Sequence, residues 1–318
     1  MLASLSLAAA AFGQPPATQL EPATPLDPIA GILGAFESHD VVAMSGGAAH
    51  GHQQGHELIV RLLADPQLGR KIDDVVVEWG NGLYQDVIDR YTAGEDVSHT
   101  ELKQVWQNTT HEVMWDPPIY EEFFRAVRLI NASLPREEHL RVLLGDPPMD
   151  WAEIRQEGDR EPFFAQRDSF PASLTMDEVI AKKRRALVIY GGLHLIGRPL
   201  PRLPDGIVIR LRAAGISVFN IASFTRDAVT ESQPDVASWE TPRFTLVAGT
   251  PLGRAPAGSI PLPTETLWDA AMIYEPRSEV QISRVSPAIC VDTEYLELLQ
   301  KRLPWVTLEE MGLGHCVR

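Results

Sequence analysis

Three histidines lie within seven residues of one another in the segment Asp40–Glu57, which reads DVVAMSGGAAHGHQQGHE. The apolar run Val41–Met44 precedes the glycine-rich part, and apolar residues at helical spacing follow it from Leu58 to Leu63. This order predicts a buried strand, a tight turn and a helix. In an open α/β sheet, such a turn faces the crevice at the carboxyl ends of the strands, where ligands usually bind. His50, directly after the turn, is therefore a candidate active-site residue.

Three further polar side chains stand at the ends of predicted strands. They are Glu78 at the end of 72–78, Asp146 after 140–144 and His194 after 186–190. The carboxyl ends of parallel strands point the same way, so these groups can converge with His50. Imidazole and carboxylate groups beside glycines suit general acid–base chemistry, because glycine lets a substrate approach closely. We predict His50, Glu78 and His194 as catalytic residues and Asp146 as a substrate-binding residue.

The remaining candidates lie on the helix that follows His50. His52 and His56 are four residues apart on one helical face, a spacing that allows two imidazoles to bind one metal ion. No HExxH pattern accompanies them, and the other interpretation is that they flank or orient His50. Glu57 and Arg61 on the same predicted helix are further candidate substrate-binding residues.

Strands and helices alternate along the chain. Predicted strands cover 40–45, 72–78, 140–144, 186–190, 216–221, 244–248 and 270–274. Predicted helices cover 27–37, 53–64, 84–91, 101–106, 119–130, 176–184, 206–214 and 294–303. This alternation predicts one α/β domain with a mainly parallel central sheet and helices on both faces. Residues 150–170 are polar and irregular, and we expect an excursion over the site there.

Bulk composition excludes several classes of function. The net charge of −15 disfavours binding to nucleic acid, which requires clustered Lys and Arg. No apolar stretch is long enough for a membrane span. The chain has no G-x-S-x-G motif and no phosphate-binding loop. Its two cysteines, Cys290 and Cys316, either pair in an oxidising compartment or remain separate thiols.

The N-terminus resembles an export signal followed by a tether. Residues 1–13 are rich in Ala and Leu and end in Ala11-Phe12-Gly13, and residues 14–28 are rich in Pro, Thr and Gln. The positively charged start of a typical signal is missing, and the other interpretation is an apolar tail. We expect a signal peptide at 1–13, a tether at 14–28, a single domain at 29–318, and a periplasmic or secreted protein.

Several motifs together resemble the erythromycin-esterase/ChaN-like superfamily, which is related to the Tiki and TraB proteins. The similar runs are VVAMSGGAAHG, VVVEWGNGLYQDVIDRYTAGED, LRVLLGDPP, ALVIYGGLHL and DAAMIYEP. The resemblance implies that His50 activates water, that Glu78 supports it and that His194 is a later active-site histidine. The first motif of the family has the form G-E-x-x-H-G, and Gly47 stands where the family places that glutamate.

The resemblance leaves three functions to distinguish. The first is an exported hydrolase that attacks an ester or similar bond of a small molecule with water, without a covalent intermediate or a cofactor. The second is a haem- or metal-binding protein with little catalysis, which the His52/His56 pair and Gly47 favour. The third is a metal-dependent hydrolase or protease related to the Tiki branch. The substrate and the oligomeric state stay open.

Overall fold

A seven-stranded sheet forms the centre of the molecule. The computed structural model describes residues 20–316. Its strands are β1 (Val41–Ser45), β2 (Asp74–Asn81), β3 (Arg141–Asp146), β4 (Ala186–Tyr190), β5 (Val218–Thr225), β6 (Arg243–Leu246), β7 (Pro256–Ala257), β8 (Ile260–Pro263) and β9 (Ala270–Tyr274). The sheet has the order β3-β2-β4-β1-β5-β9-β6, and β7 and β8 form a separate hairpin. All neighbours in the sheet are parallel except β6, which runs antiparallel to β9 at one edge.

Helices cover both faces of this sheet. They are α1 (Pro28–Ala35), α2 (Gln53–Leu63), α3 (Gln85–Thr92), α4 (His99–Leu102), α5 (Gln104–Gln107), α6 (Pro118–Ser133), α7 (Glu161–Phe164), α8 (Ser169–Leu174), α9 (Ile207–Ala213), α10 (Arg226–Thr230), α11 (Pro251–Arg254) and α12 (Thr293–Arg302). Helices α1, α2 and α6 pack with one apolar cluster, and α8 and α9 pack with another. The predicted α/β fold with a mainly parallel sheet is confirmed.

The central strands are apolar on both faces because each face is covered by helices. Every residue of β1 and of β4 is buried. Val42 and Met44 belong to the cluster on the side of α1, α2 and α6, whereas Val41 and Ala43 belong to the cluster on the other side. The alternation of side chains along a strand therefore joins the two helical layers through the sheet.

Some predicted boundaries differ from the structure. Strand β2 continues past Glu78 to Asn81, with a shift in its register against β3 between Val77 and Asn81. Asp146 is the last residue of β3 instead of following it. In place of the helix predicted at 176–184, the structure has a π-helical stretch, Thr175–Ile180, which follows α8 directly, and then a turn.

Both ends of the described part of the chain make contacts that bear on the predictions. The predicted signal at 1–13 lies outside the described residues, as does the tether as far as residue 19. Within the described part of that tether, Ala23 is buried and Leu26 pairs with Phe244 of β6. No helix in residues 20–316 is both long and apolar enough to span a membrane. Cys290 and Cys316 form a disulfide.

Candidate functional site

A cavity opens at the carboxyl edge of the central strands. Val77 of β2 pairs with Ile189 of β4, and Tyr190 pairs with Ser45 of β1. Glu78, Tyr190 and Ser45 follow or end these pairings and all line the cavity. The cavity therefore lies at the carboxyl edge of the sheet, the edge at which we predict the site.

The cavity has a volume of about 480 Å³, which suits a small organic molecule. Its walls are largely aromatic and aliphatic. They include Ile59, Trp79, Trp115, Tyr120, Tyr190, Ile196, Phe224, Ile260 and Trp268. Polar groups are fewer: the lining includes Ser45, His50, His52, His56, Glu78, Ser223 and Ser259. Of the lining residues within 20–316, none is Lys or Arg.

The three predicted catalytic side chains meet around Gly191, which follows β4. A Cβ placed on Gly191 would lie 3.3 Å from Glu78 Oε2, 3.4 Å from His50 Nε2 and 3.6 Å from His194 Cδ2. The backbone of Gly191 is in an ordinary extended conformation, with φ −58° and ψ 140°. The glycine therefore matters for space and not for its backbone angles, because it leaves a gap of about one methyl group between the imidazole and the carboxylate.

Glu78 is held in place by three groups. Arg167 Nη2 donates to Oε1 at 2.8 Å, the Gly191 N–H donates to Oε2 at 2.7 Å, and His194 Nε2 lies 3.5 Å from Oε1. The residue is only 4% exposed, so its carboxyl group depends on these partners for its polar contacts. With both oxygens hydrogen-bonded, Glu78 is suited to stabilise a neighbouring group more than to abstract a proton.

His194 sits between two carboxylates. Its Nδ1 lies 2.7 Å from Asp168 Oδ1, while Nε2 faces Glu78. Burial alone would lower the pKa of His194, but the hydrogen bond to Asp168 and the negative charges of Glu78 and Asp168 outweigh it, so the pKa is raised. His194 is outside the cavity lining and reaches the site through Glu78.

His50 is exposed and presents one ring nitrogen to the site. Its Nδ1 lies 3.2 Å from Met114 Sδ, and its ring packs 5.2 Å from the ring of Trp115. A thioether sulfur can only accept a hydrogen bond, so this contact favours the tautomer with the proton on Nδ1. We assign the lone pair to Nε2, the nitrogen that faces Gly191. His50 therefore has the geometry of a general base.

Gly47, where the resemblance noted in the sequence would place a glutamate, is fixed by local packing. Its φ is +153°, and a Cβ at this position would lie 2.7 Å from both Cβ and Nδ1 of His52. Nδ1 of His52 in turn accepts a hydrogen bond from the Ala48 N–H at 3.1 Å. A glutamate at position 47 would therefore require the turn and His52 to move apart.

His52 and His56 both line the cavity but differ in their contacts. His52 Nε2 is buried 3.6 Å from Glu275 Oε2, and its ring packs against Tyr274. Burial lowers the pKa of His52, and it lowers the pKa of His56 to about 4, so both rings are neutral near pH 7.

The donor set around this pair does not suit a metal ion. Nδ1 of His52 is already used by Ala48, and metal sites generally need three or more protein ligands. Within residues 20–316, the one group of three candidate ligands is Cys290, His315 and Cys316, where both sulfurs are in the disulfide. The metal role of His52 and His56 stays a prediction that these contacts do not support.

The three predicted substrate-binding residues lie outside the cavity lining. Asp146 is buried and accepts two hydrogen bonds from Thr110, one from the backbone N–H at 2.7 Å and one from the hydroxyl at 2.5 Å. Burial raises the pKa of Asp146 to about 7 despite these bonds. Glu57 and Arg61 are exposed on α2. Asp146 therefore anchors a loop, and the binding roles of all three remain predictions without a contact to support them.

Sequence reasoning missed several residues of the site. Arg167 and Asp168 come from the polar excursion, and Met114 and Trp115 come from the loop before α6. His111 is a further residue close to Arg167 and Glu78, whose charges act on it. Burial is the main cause that lowers the pKa of His111 to about 4. No motif or spacing marks these residues, since each reaches the site through tertiary packing.

Comparisons with known proteins show similarity of fold. No family model matches this chain, and no curated protein matches it. A solved structure of a protein from Bacillus cereus is 10% identical, covers 83% of this chain and 96% of its own, and has a TM-score of 0.56. ChaN of Campylobacter jejuni, solved with cofacial heme binding, is 12% identical over 77% of this chain and 90% of its own, with a TM-score of 0.44. The type III effector HopBA1 is 12% identical over 82% of this chain and 99% of its own, also with a TM-score of 0.44.

Proposed function

We propose that this protein is a hydrolase of the erythromycin-esterase/ChaN-like superfamily that cleaves an ester or similar bond of a small, largely apolar molecule. The observation that carries the proposal is the meeting of His50, Glu78 and His194 around Gly191 at the wall of an aromatic cavity. A base with a free lone pair, a fixed carboxylate and a water-sized space are the components that hydrolysis without a covalent intermediate needs.

In the proposed reaction, the aromatic walls hold the substrate with its carbonyl carbon near His50. Nε2 of His50 takes a proton from water as the water oxygen attacks that carbon, and the same nitrogen then gives the proton to the leaving alcohol. The charge of Glu78 stabilises the imidazolium that forms in between. The turn Ser45–Ala49 also lines the cavity, and its backbone N–H groups are the candidates to stabilise the oxyanion.

His194 has a different role here from the one its sequence position suggested. Because it contacts Glu78 and is outside the cavity lining, we assign it to positioning Glu78 instead of to binding the oxyanion or protonating the leaving group. The hydrogen bond to Asp168 helps to raise the pKa of His194, which favours the charged form of its ring. The result is a chain of alternating acidic and basic side chains that ends at the cavity.

The cavity chemistry favours hydrolysis over haem binding. His50 could supply an axial ligand to a haem iron. Haem also carries two propionates, which cationic side chains often bind. Within residues 20–316, the cavity wall offers no Lys or Arg for them. The cavity therefore lacks one common kind of haem partner, and we rank haem binding second.

We also propose that the protein is periplasmic or secreted. The disulfide between Cys290 and Cys316 supports this location, because disulfides persist in oxidising compartments and are rare in the cytosol. The apolar segment at 1–13 supports it independently.

A panel of ester and amide substrates tests the proposed function. We expect the purified protein to hydrolyse at least one ester and His50→Gln to abolish that activity. Gly191→Ala fills the space between His50 and Glu78 without backbone strain, so we expect a normal fold and a loss of about 10²-fold in rate.

Gly192→Ala is the matched control, because a Cβ there would have no neighbour closer than 4.0 Å. We expect it to lose far less activity than Gly191→Ala. Absence of any hydrolysis that depends on His50, or equal losses in the two glycine variants, would contradict the proposed role of this site. A haem absorbance titration of the same protein distinguishes the binding alternative.

A further inference from the structure

The disulfide closes a C-terminal segment, and this segment packs against the loop whose side chains contact His50. We call residues 286–316 the C-terminal clamp and residues 108–116 the site loop. The clamp contains α12, and its disulfide joins positions 26 residues apart. Both cysteines are half-buried, so a small reductant can reach them.

One apolar cluster connects the clamp to the site loop. It contains Val113 of the loop together with Ile289, Tyr295, Leu299 and Leu313 of the clamp, and both cysteines pack against it. The disulfide is therefore adjacent to the residues that cover Val113.

Polar contacts connect the same two segments. The Tyr295 hydroxyl donates to Asp116 Oδ2 at 2.9 Å, and Arg302 Nη2 donates to Asn108 Oδ1 at 2.7 Å. These two bonds hold both ends of the site loop to α12. The clamp thus fixes the loop at its start, at Val113 and at its end.

The backbone of the loop is strained where the clamp covers it. Val113 has φ 62°, a left-handed conformation that is unfavourable for a β-branched residue. Such a conformation persists only where surrounding contacts impose it. The next two residues, Met114 and Trp115, are the ones that contact His50. The strained residue, Val113, therefore directly precedes Met114, whose sulfur sets the tautomer of His50.

We propose that the C-terminal clamp is a redox-controlled positioning element for His50. This inference rests on the proposed hydrolase function. In the reduced state, the clamp releases Val113, the site loop relaxes, and Met114 and Trp115 move away from the imidazole. Tyr295 is a positioning residue, because it acts on His50 only through Asp116 and the loop.

The switching step is thiol–disulfide exchange with a dithiol reductant. One thiolate of the reductant attacks a sulfur of the Cys290–Cys316 bond and forms a mixed disulfide, releasing the other cysteine as a thiolate. The second thiol of the reductant then displaces the remaining cysteine. Two electrons pass to the protein, two protons end on the two cysteine thiols, and the reductant becomes a cyclic disulfide.

Dithiothreitol tests the switch with two independent measurements. We expect reduction to lower kcat for an ester substrate about tenfold with little change in KM, because small displacements of a catalytic group are costly. We also expect diethyl pyrocarbonate to modify His50 several-fold faster, as measured by mass spectrometry. The buried His52 and His56 on the same peptide provide an internal reference, and circular dichroism should report an unchanged fold.

Three variants complete the test. Cys290→Ser/Cys316→Ser should have the low kcat with and without reductant. Tyr295→Phe keeps the ring in the cluster but loses the bond to Asp116, so kcat should fall while KM stays the same. Tyr91→Phe is the matched control, since Tyr91 packs with Arg128 on α6 and does not line the cavity; its kcat should be unchanged.

Unchanged kcat and unchanged His50 modification after reduction would overturn the proposal. Wild-type activity in the double serine variant would do the same, and so would unfolding of the whole domain on reduction, which would make the disulfide a general stabiliser. If the oxidised protein hydrolyses no ester, the proposed function fails, and the modification rate of His50 alone still decides whether the clamp positions it.

Discussion

His56 is buried in the cavity lining, and its protonation is linked to the stability of the fold. Burial lowers its pKa from 6.5 in the unfolded chain to about 4 in the folded one. As the pH falls below 6.5, the unfolded chain therefore takes up the proton first. The stability contributed by the neutral ring is fully present above 6.5 and is lost as the pH falls to about 4.

We predict that wild type loses on the order of 3 kcal/mol relative to His56→Gln over this pH range. Urea unfolding of both proteins at a series of pH values measures this difference. Other groups with shifted pKa values, such as Asp146 and His111, are common to both chains and cancel in the comparison. Parallel pH profiles for the two proteins would show that His56 is not buried in the neutral form.

The residue type at position 47 has a steric explanation in this structure. The turn packs so closely on His52 that a Cβ at position 47 has no space. The site instead has its fixed carboxylate at Glu78, held by Arg167 and Gly191. The absence of glutamate at position 47 therefore reflects the way this turn packs, and the carboxylate near His50 comes from β2, which β4 separates from β1 in the sheet.

At the scale of elements, the excursion between β3 and β4 completes the site. It contributes Arg167 and Asp168, which contact Glu78 and His194. We predict that Arg167→Met lowers the free energy of unfolding by about 3 kcal/mol, because it removes a partner from a buried carboxylate. Loss of ester hydrolysis should accompany this change.

Arg155→Met is the control for that prediction, because Arg155 is exposed on the same excursion. A change within about 0.5 kcal/mol is expected there. Denaturant unfolding and initial rates measure both variants. Equal stability of Arg167→Met and Arg155→Met would mean that Glu78 does not depend on the excursion.

The sequence predicted the parts of this site that depend on local patterns. The apolar runs located β1, β2 and β4, and parallel strands bring their carboxyl ends together, so His50, Glu78 and His194 could be placed at one edge. It did not predict Arg167, Asp168, Met114 or Trp115. These residues lie in irregular segments, where no periodicity indicates a direction, and their positions depend on which distant surface each segment packs against.

At the scale of the whole molecule, charge predicts which substrates the cavity accepts. The chain has a net charge of −15, and within residues 20–316 the cavity wall carries no Lys or Arg to offset it. An anionic substrate is therefore repelled at long range by the protein as a whole and finds no cationic partner inside. Repulsion by the net charge acts at long range, whereas the missing cationic partner acts only inside the cavity. Experiments can therefore separate the two effects.

We predict that the acetate ester of an alcohol is hydrolysed with a higher kcat/KM than the hemisuccinate ester of the same alcohol. Salt screens charges beyond about 10 Å at 0.1 M, so raising the ionic strength should reduce the part of the gap that comes from the net charge. The difference in kcat/KM that remains at high salt comes from the cavity wall itself, because salt does not supply the cationic partner that the wall lacks. A hemisuccinate that is preferred at every ionic strength would require a cation at the site, and would favour an anionic ligand over the neutral ester proposed here.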